Sequence, residues 1–297
     1  MAALKHYLGV IRAPFLLLSV TLVASGAAAA AYDGAFLWPR TLVALVGLVA
    51  LHAAVDALNE ASDMRTGIDL HTRRTPFSGG SGTLPAGHLP EKTAWVVGYV
   101  AFAIGFVCGV WFLFKVGWVL FPILLAGAVC VLAYTEFLAR IGVGEIATGL
   151  GLGALPVMGT ALVQDGTLGP AALAASIPAF LGTFNLLLLN EFPDEDADRE
   201  GGRRNLVLIM GRKMAAWIYA LAALATPLAI LVGVLLEAFP IHCALATLPS
   251  LLLVQPLRWA LGNPREPVPL AALGANVAWS HGTNIALAAT LILARSL

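Results

Sequence analysis

The sequence predicts an all-α, polytopic membrane protein of nine transmembrane helices, organised as a single domain over residues 1–297. Three observations predict it. The chain is 59% hydrophobic and only 11% charged, with a mean hydropathy of +0.87. Its apolar runs repeatedly reach the roughly 20 residues that cross a hydrocarbon core. Its few charges gather in short clusters between those runs.

The spans follow in order. The run 11–31 has no polar cleavage region ahead of it and reads as a first span, not a removable signal. The run 38–58 leads into an acidic cluster. Runs 93–113 and 117–136 are parted only by a tight turn at Lys115. Runs 142–163 and 171–191 come next, the latter entering a second acidic cluster. Runs 214–236 and 239–259 split at Glu237 to Pro240, and 269–294 closes the series.

With the N-terminus in the cytosol, only Arg40, Lys115 and Arg295 of the 17 Lys and Arg fall outside. That asymmetry fixes the orientation, and nine spans put the C-terminus outside. Both acidic clusters follow even-numbered spans, so both face the cytosol. Cys108, Cys130 and Cys243 lie inside spans and read as small packing residues. The formal net charge is zero, and nothing calls for nucleic acid or an obligatory protein partner.

The first cluster runs from Asn59 through Asp63 to Asp69, and the second from Asn190 through Asp194 to Asp198. Unpaired carboxylates beside hydrocarbon are costly, so such clusters imply a bound cation. Asn59 and Asp63 share one helix face by their i,i+4 spacing. Gly67 then permits a turn returning Asp69 to the same point. Asn190, Asp194 and Asp198 repeat the spacing, with a break or kink expected at Pro193. Ligands made only of carboxylate and amide oxygen suit a hard cation such as Mg2+, together with substrate phosphate. Most acidic loop residues bind nothing, so the matched pair on one face carries the argument. The repeated pattern also hints at an internal duplication of helix blocks.

Basic residues follow each cluster: Arg73 and Arg74 the first, Arg199, Arg203 and Arg204 the second. They serve topology at least, and they are able to hold diphosphate oxygens by charge-assisted bonds. The glycine-rich stretch Thr75 to Gly82 is either a linker or a lid offering backbone N–H groups to phosphate.

At these residues the chain resembles the UbiA superfamily of intramembrane prenyltransferases, over most of its length. The first motif, N-x3-D-x5-D ending in Thr66-Gly67-Ile68-Asp69, is similar to the branch that prenylates 1,4-dihydroxy-2-naphthoate in menaquinone biosynthesis. The second, Asn190 to Asp198 followed by Glu200 to Leu206, departs in having Asn205 where Thr is usual. Tyr134-Thr135, Gly142 to Glu145 and Pro156 to Thr160 are similar to the same branch. The segment Glu136 to Arg140 lacks that branch's usual proline, which leaves acceptor identity more open than reaction type.

The resemblance implies helices around a central cavity in a bacterial or archaeal inner membrane. It implies an isoprenyl diphosphate, a small aromatic acceptor and two Mg2+ bridging the motifs. Asn59, Asp63, Asp69, Asn190, Asp194 and Asp198 would then be ligands of metal or metal-bound water. Arg73, Arg74, Arg203 and Arg204 would hold diphosphate, with Tyr134, Arg140 and Glu145 toward the acceptor. Two rivals remain. A cation-coupled transporter would place its ionisable residues near the bilayer midplane, unlike these. A terpene cyclase of the same superfamily would use no aromatic acceptor. His52, Gln255, Asn276 and His281 lie within spans, where polar groups most often bond between helices.

Overall fold

A computed structural model describes residues 2–296; among them the ordered elements are all helical, and Met1 and Leu297 lie outside the described residues. Helix α1 (Ala2–Val10) precedes the first span, α2 (Ala13–Tyr32), across Arg12, whose φ is 45°. Ala27 to Ala31 are all buried. Small residues let α2 run through the middle of the bundle: a Cβ on Gly26 would stand 2.5 Å from the Val157 carbonyl oxygen.

Helix α3 (Trp38–Thr66) continues two turns beyond the span 38–58, so Asn59 and Asp63 ride on unbroken helix. Gly67, at φ 84°, ends it and reverses the chain into the one-turn α4 (Ile68–His71). Helix α5 (Glu91–Val116) packs along α3, where Gly98 meets Leu58 and Gly105 meets Leu51.

The expected span 117–136 is broken. Helix α6 (Trp118–Leu132) bends by 64° into α7 (Tyr134–Ile141), through a widened π turn over Tyr134–Leu138. Such turns carry no hydropathy signature, so the apolar run concealed the bend. Helix α8 (Gly144–Asp165) follows, with a second π turn over Leu150–Ala154. Counting α6 and α7 as one span, nine segments among the described residues can cross a bilayer; without that pair there are eight.

Helix α9 (Pro170–Glu200) runs through Pro193, contrary to the expected break. Proline removes one donor from the helix, yet the helix continues past it with packing on both sides. The Phe192 ring lies edge-on to Trp259 at 4.8 Å, and Arg212 Nη1 donates to the Phe192 carbonyl at 3.2 Å. Helix α10 (Leu206–Leu235) opens with a short segment before residue 214, set off from the rest by a break at Gly211, whose φ is 76°. The Asn205 side chain caps it by accepting from Leu208 N–H at 2.9 Å, as an N-cap asparagine does. Helices α11 (Ile241–Gly262) and α12 (Leu270–Ser296) complete the bundle.

Polar residues inside the spans mostly tie helices together. Tyr219 Oη donates to Asn276 Oδ1 at 2.9 Å, Asn276 Nδ2 to the Asn185 carbonyl at 3.0 Å, and Asn185 Nδ2 to the Tyr219 carbonyl at 3.1 Å. This closed triangle joins α9, α10 and α12. Gln255 is the exception: it is exposed on the outside of α11. The three cysteines are free thiols.

Candidate active site

The extended ends of α3 and α9 bring the two acidic clusters to one cavity. Asn59, Asp63, Asp69, Tyr134, Asn190, Asp194, Asp198 and Arg203 all line it. On α9 the four-residue spacing places Asn190, Asp194 and Asp198 along one face. On the opposite wall Asn59 and Asp63 do the same from α3, and the turn at Gly67 returns Asp69 beside them.

Arg203 joins the two clusters. Its Nη2 donates to Asp63 Oδ1 at 2.5 Å and Oδ2 at 2.6 Å, and its Nη1 stands 3.5 Å from Asp198 Oδ1. The Asn59 amide, oriented by its surroundings, accepts from Arg203 Nη2 at 2.5 Å and donates to Asp63 Oδ2 at 3.2 Å. Asn205 Nδ2 donates to Asp198 Oδ2 at 2.9 Å, so the cap of α10 also orients a site carboxylate. Burial alone would lower the Arg203 pKa, but the charges of Asp63 and Asp198 outweigh it and raise it.

The loop after α4 folds over the mouth. Gly79 N–H donates to Asp194 Oδ2 at 3.1 Å. Ser81 donates to Glu60 through N–H at 2.6 Å and Oγ at 2.8 Å. Gly80, at φ 71°, passes so close that an added Cβ would stand 2.5 Å from Asp69 Oδ1. Glycine is required there twice over, for its backbone and for the space.

A cation fits this donor set. Asp69 Oδ2, Asp194 Oδ1 and Asp198 Oδ1 are enclosed without a hydrogen-bond partner among the described residues, and enclosed orphan oxygens call for a ligand. No group of three His, Cys, Asp or Glu among the described residues forms a ready-made cage. That accords with Mg2+, which keeps waters and takes one or two carboxylates plus phosphate.

Other expected site residues lie elsewhere. Arg73, Arg74 and Arg204 are exposed around the mouth and do not line the cavity. Arg74 Nη2 donates to the Asp69 carbonyl at 2.9 Å, and Arg204 N–H to the Ala139 carbonyl at 2.9 Å. Glu145 is buried; it accepts Leu206 N–H at 2.5 Å from the start of α10 and also meets the carboxyl of the wall residue Glu191. Arg140 does not line the cavity, and its Nε is enclosed and unpartnered among the described residues. Three charged wall residues went unremarked as site candidates: Arg12, Asp56 and Glu191. Asp56, three residues before Asn59 and seven before Asp63, was discoverable from helical spacing alone.

A second cavity lies between α3, α5, α6 and α8. No charged side chain lines it, and it shares Leu48, Leu51, Gly127 and Gly151 with the first. Polar mouth and apolar interior are therefore contiguous.

Comparison with known proteins gives the same outline. The profile of the UbiA prenyltransferase family matches residues 17–282. A 1,4-dihydroxy-2-naphthoate octaprenyltransferase from Bacillus subtilis (strain 168) is 27% identical over 189 residues, 60% of this chain and 57% of that protein. The match thus spans little more than half of that relative's length. A UbiA homolog from Archaeoglobus fulgidus, solved bound to GPP and Mg2+, superposes with a TM-score of 0.66 at 16% identity, over 97% of this chain and 99% of that one. A UbiA homolog from Aeropyrum pernix K1 gives 0.69 at 19% identity, over 91% and 96%. At these identities the two structures establish a common fold.

Proposed function

The chain belongs to the UbiA prenyltransferase family, and from that premise we propose that it transfers an isoprenyl group from a prenyl diphosphate to an aromatic acceptor, with Mg2+ as its metal. We take the acceptor to be 1,4-dihydroxy-2-naphthoate, and the step to belong to menaquinone biosynthesis, as the name of the Bacillus subtilis relative suggests. The observation that supports this most is the meeting of two carboxylate clusters in a polar cavity that continues into an apolar one. An amphipathic substrate with a polyanionic head and a hydrocarbon tail matches that division.

Asn59, Asp63 and Asp69 on one wall, with Asn190, Asp194 and Asp198 on the other, would hold the metal. Bound there, Mg2+ would draw charge from the leaving diphosphate. The chain's own residues do the rest. Arg203 already sits between Asp63 and Asp198, so it can move its charge onto diphosphate oxygens when those carboxylates turn to a cation. Gly79 and Gly80 close the mouth over the head group. Arg73, Arg74 and Arg204 surround it with positive charge, which draws a polyanion in. The Tyr134 ring lies on the wall where a prenyl cation would form, able to shield it through its π face. Apolar walls exclude the water that would quench it.

An assay of the purified protein in lipid tests this, with geranylgeranyl diphosphate, Mg2+ and either 1,4-dihydroxy-2-naphthoate or 4-hydroxybenzoate. The expected result is Mg2+-dependent prenylation of the naphthoate. Asp63→Ala or Asp194→Ala should lower it by about 100-fold or more, the scale on which charge-stabilising groups act. Diphosphate release without a prenylated ring would instead indicate cyclisation. Absence of both turnover and Mg2+-dependent diphosphate binding would restore the transporter.

A further inference from the structure

Below the metal-binding level, one carboxyl on the cavity wall has no task. Asp56 lies three residues before Asn59 and seven before Asp63 on α3, about 4.5 and 10 Å deeper along the helix at a rise of 1.5 Å per residue. It borders the same cavity among Leu51, Val55, Val131 and Leu152. Its Oδ2 is enclosed and lacks a hydrogen-bond partner among the described residues. An ionisable residue at such depth is expensive to keep and marks a site of action.

Asp56 is also backed. His52 Nε2 stands 3.7 Å from Asp56 Oδ2, beyond hydrogen-bond reach but facing it. The other ring nitrogen of His52 lies 2.9 Å from Ser19 Oγ on α2. With Ser19 donating to Nδ1, the proton of His52 sits on Nε2 and points at Asp56. Of the other charged groups on this wall, Glu191 of α9 lies beside Asn190 among the metal-site residues, its Oε2 likewise without a partner among the described residues, and Arg12 is held by Glu60. Glu60, one turn toward the mouth, accepts from Arg12 Nε at 2.9 Å and from Ser81. His281 of α12 stands 3.5 Å from Thr21 through Nδ1.

We propose that Asp56, oriented by His52 and Ser19, accepts the hydroxyl proton of the aromatic acceptor during prenyl transfer. The inference rests on the prenyltransferase reading. The ring carbon forms its bond to the allylic carbon with a ring π pair. The allylic C–O bond breaks, and its pair leaves with the diphosphate. The hydroxyl O–H bond breaks, its pair becomes the C=O of a dienone, and its proton passes to Asp56. In this proposal the ring lies against the allylic carbon on the Asp56 side of the metal, and a proton acceptor is most effective within hydrogen-bond reach of the proton it takes.

The test is Asp56→Asn, with His52→Gln as a second variant, in the protein reconstituted in lipid. Two quantities are read: turnover to prenylated ring, and Mg2+-dependent binding of geranylgeranyl thiodiphosphate, which cannot react. Asp56→Asn should cut kcat by about 100-fold or more, the usual contribution of a positioned base, with thiodiphosphate binding unchanged. Asp56→Glu should recover part of the rate. His52→Gln should cost roughly 10-fold, since orienting partners matter on that scale. Turnover of Asp56→Asn within threefold of wild type sinks the proposal while leaving the prenyltransferase reading intact. Loss of thiodiphosphate binding together with turnover also overturns it, because Asp56 would then belong to the metal site. Should Asp56→Asn fail to fold, an undiminished rate in His52→Gln overturns the proposal. A wild-type protein that binds thiodiphosphate yet prenylates no ring brings down both readings.

Discussion

The guanidinium of Arg203 stands between Asp63 and Asp198, where a metal would otherwise balance two carboxylates from different helices. Its removal leaves like charges facing one another in a mostly dry site. Breaking a buried pair in this way costs about 3 kcal/mol. Arg203→Ala should therefore melt at lower temperature than wild type without metal, and Mg2+ should recover more stability in the variant than in the parent. Equal Mg2+ shifts in both proteins would show that the metal does not take over the arginine's charge balance. Asp69 offers a second reading at this scale. Burial first, then the charges of Glu60 and Asp63, push its pKa from 3.8 to about 7. Between those values the folded chain holds a proton that the unfolded chain has lost, so through this group metal-free stability falls as pH rises. Mg2+ needs the carboxylate, so its affinity should rise by up to about tenfold per unit from pH 5 to 7 and then level off. Titrating Mg2+ against a bound prenyl thiodiphosphate across that range checks it, and Asp69→Asn should flatten the slope.

Helical spacing made the clusters on α3 and α9 legible in the sequence, because period-four polar residues at the end of an apolar run survive any uncertainty in the helix boundary. Three features of the elements were hidden. The bend between α6 and α7 lies inside an unbroken apolar run. The continuation of α9 through Pro193 depends on Phe192 and Arg212, which are tertiary contacts. Asp56 was one carboxylate in a stretch read for hydropathy, not for the face it shares with Asn59. The elements also set the path for a substrate tail. Gly127 of α6 borders both cavities, and a Cβ there meets nothing within 4 Å. Gly127→Leu should fill the passage without straining the helix. For a prenyl tail that extends into the second cavity, KM for geranylgeranyl diphosphate should rise by roughly 10-fold, a typical scale for overpacking. Dimethylallyl diphosphate, too short to reach the passage, should be little affected. Equal effects on both substrates would send the tail elsewhere.

For the molecule as a whole, the geometry of the site decides a count that helix length leaves open. Eight helices qualify as spans alone, and α6 with α7 makes a ninth only if the bent pair crosses. Between the end of α3 and the end of α9 the chain passes α5, the bent pair, α8 and α9. If the pair did not cross, that would be three crossings, and the two clusters would lie on opposite membrane faces. Yet Arg203 contacts both Asp63 and Asp198, so the number must be even and the pair must cross. Nine crossings predict residue 296 on the face opposite α1. The charge asymmetry predicts a cytosolic α1 face. Single cysteines at Ser81→Cys and Ser296→Cys, in a background with Cys108, Cys130 and Cys243 replaced by alanine, test both steps. A membrane-impermeant maleimide should label position 296 in intact cells and position 81 only in inverted vesicles. Labelling of both positions from one side would mean eight crossings, and the two clusters could then not share the cavity. Labelling with the sides exchanged would keep nine spans and reverse the orientation, placing the diphosphate site away from the cytosol.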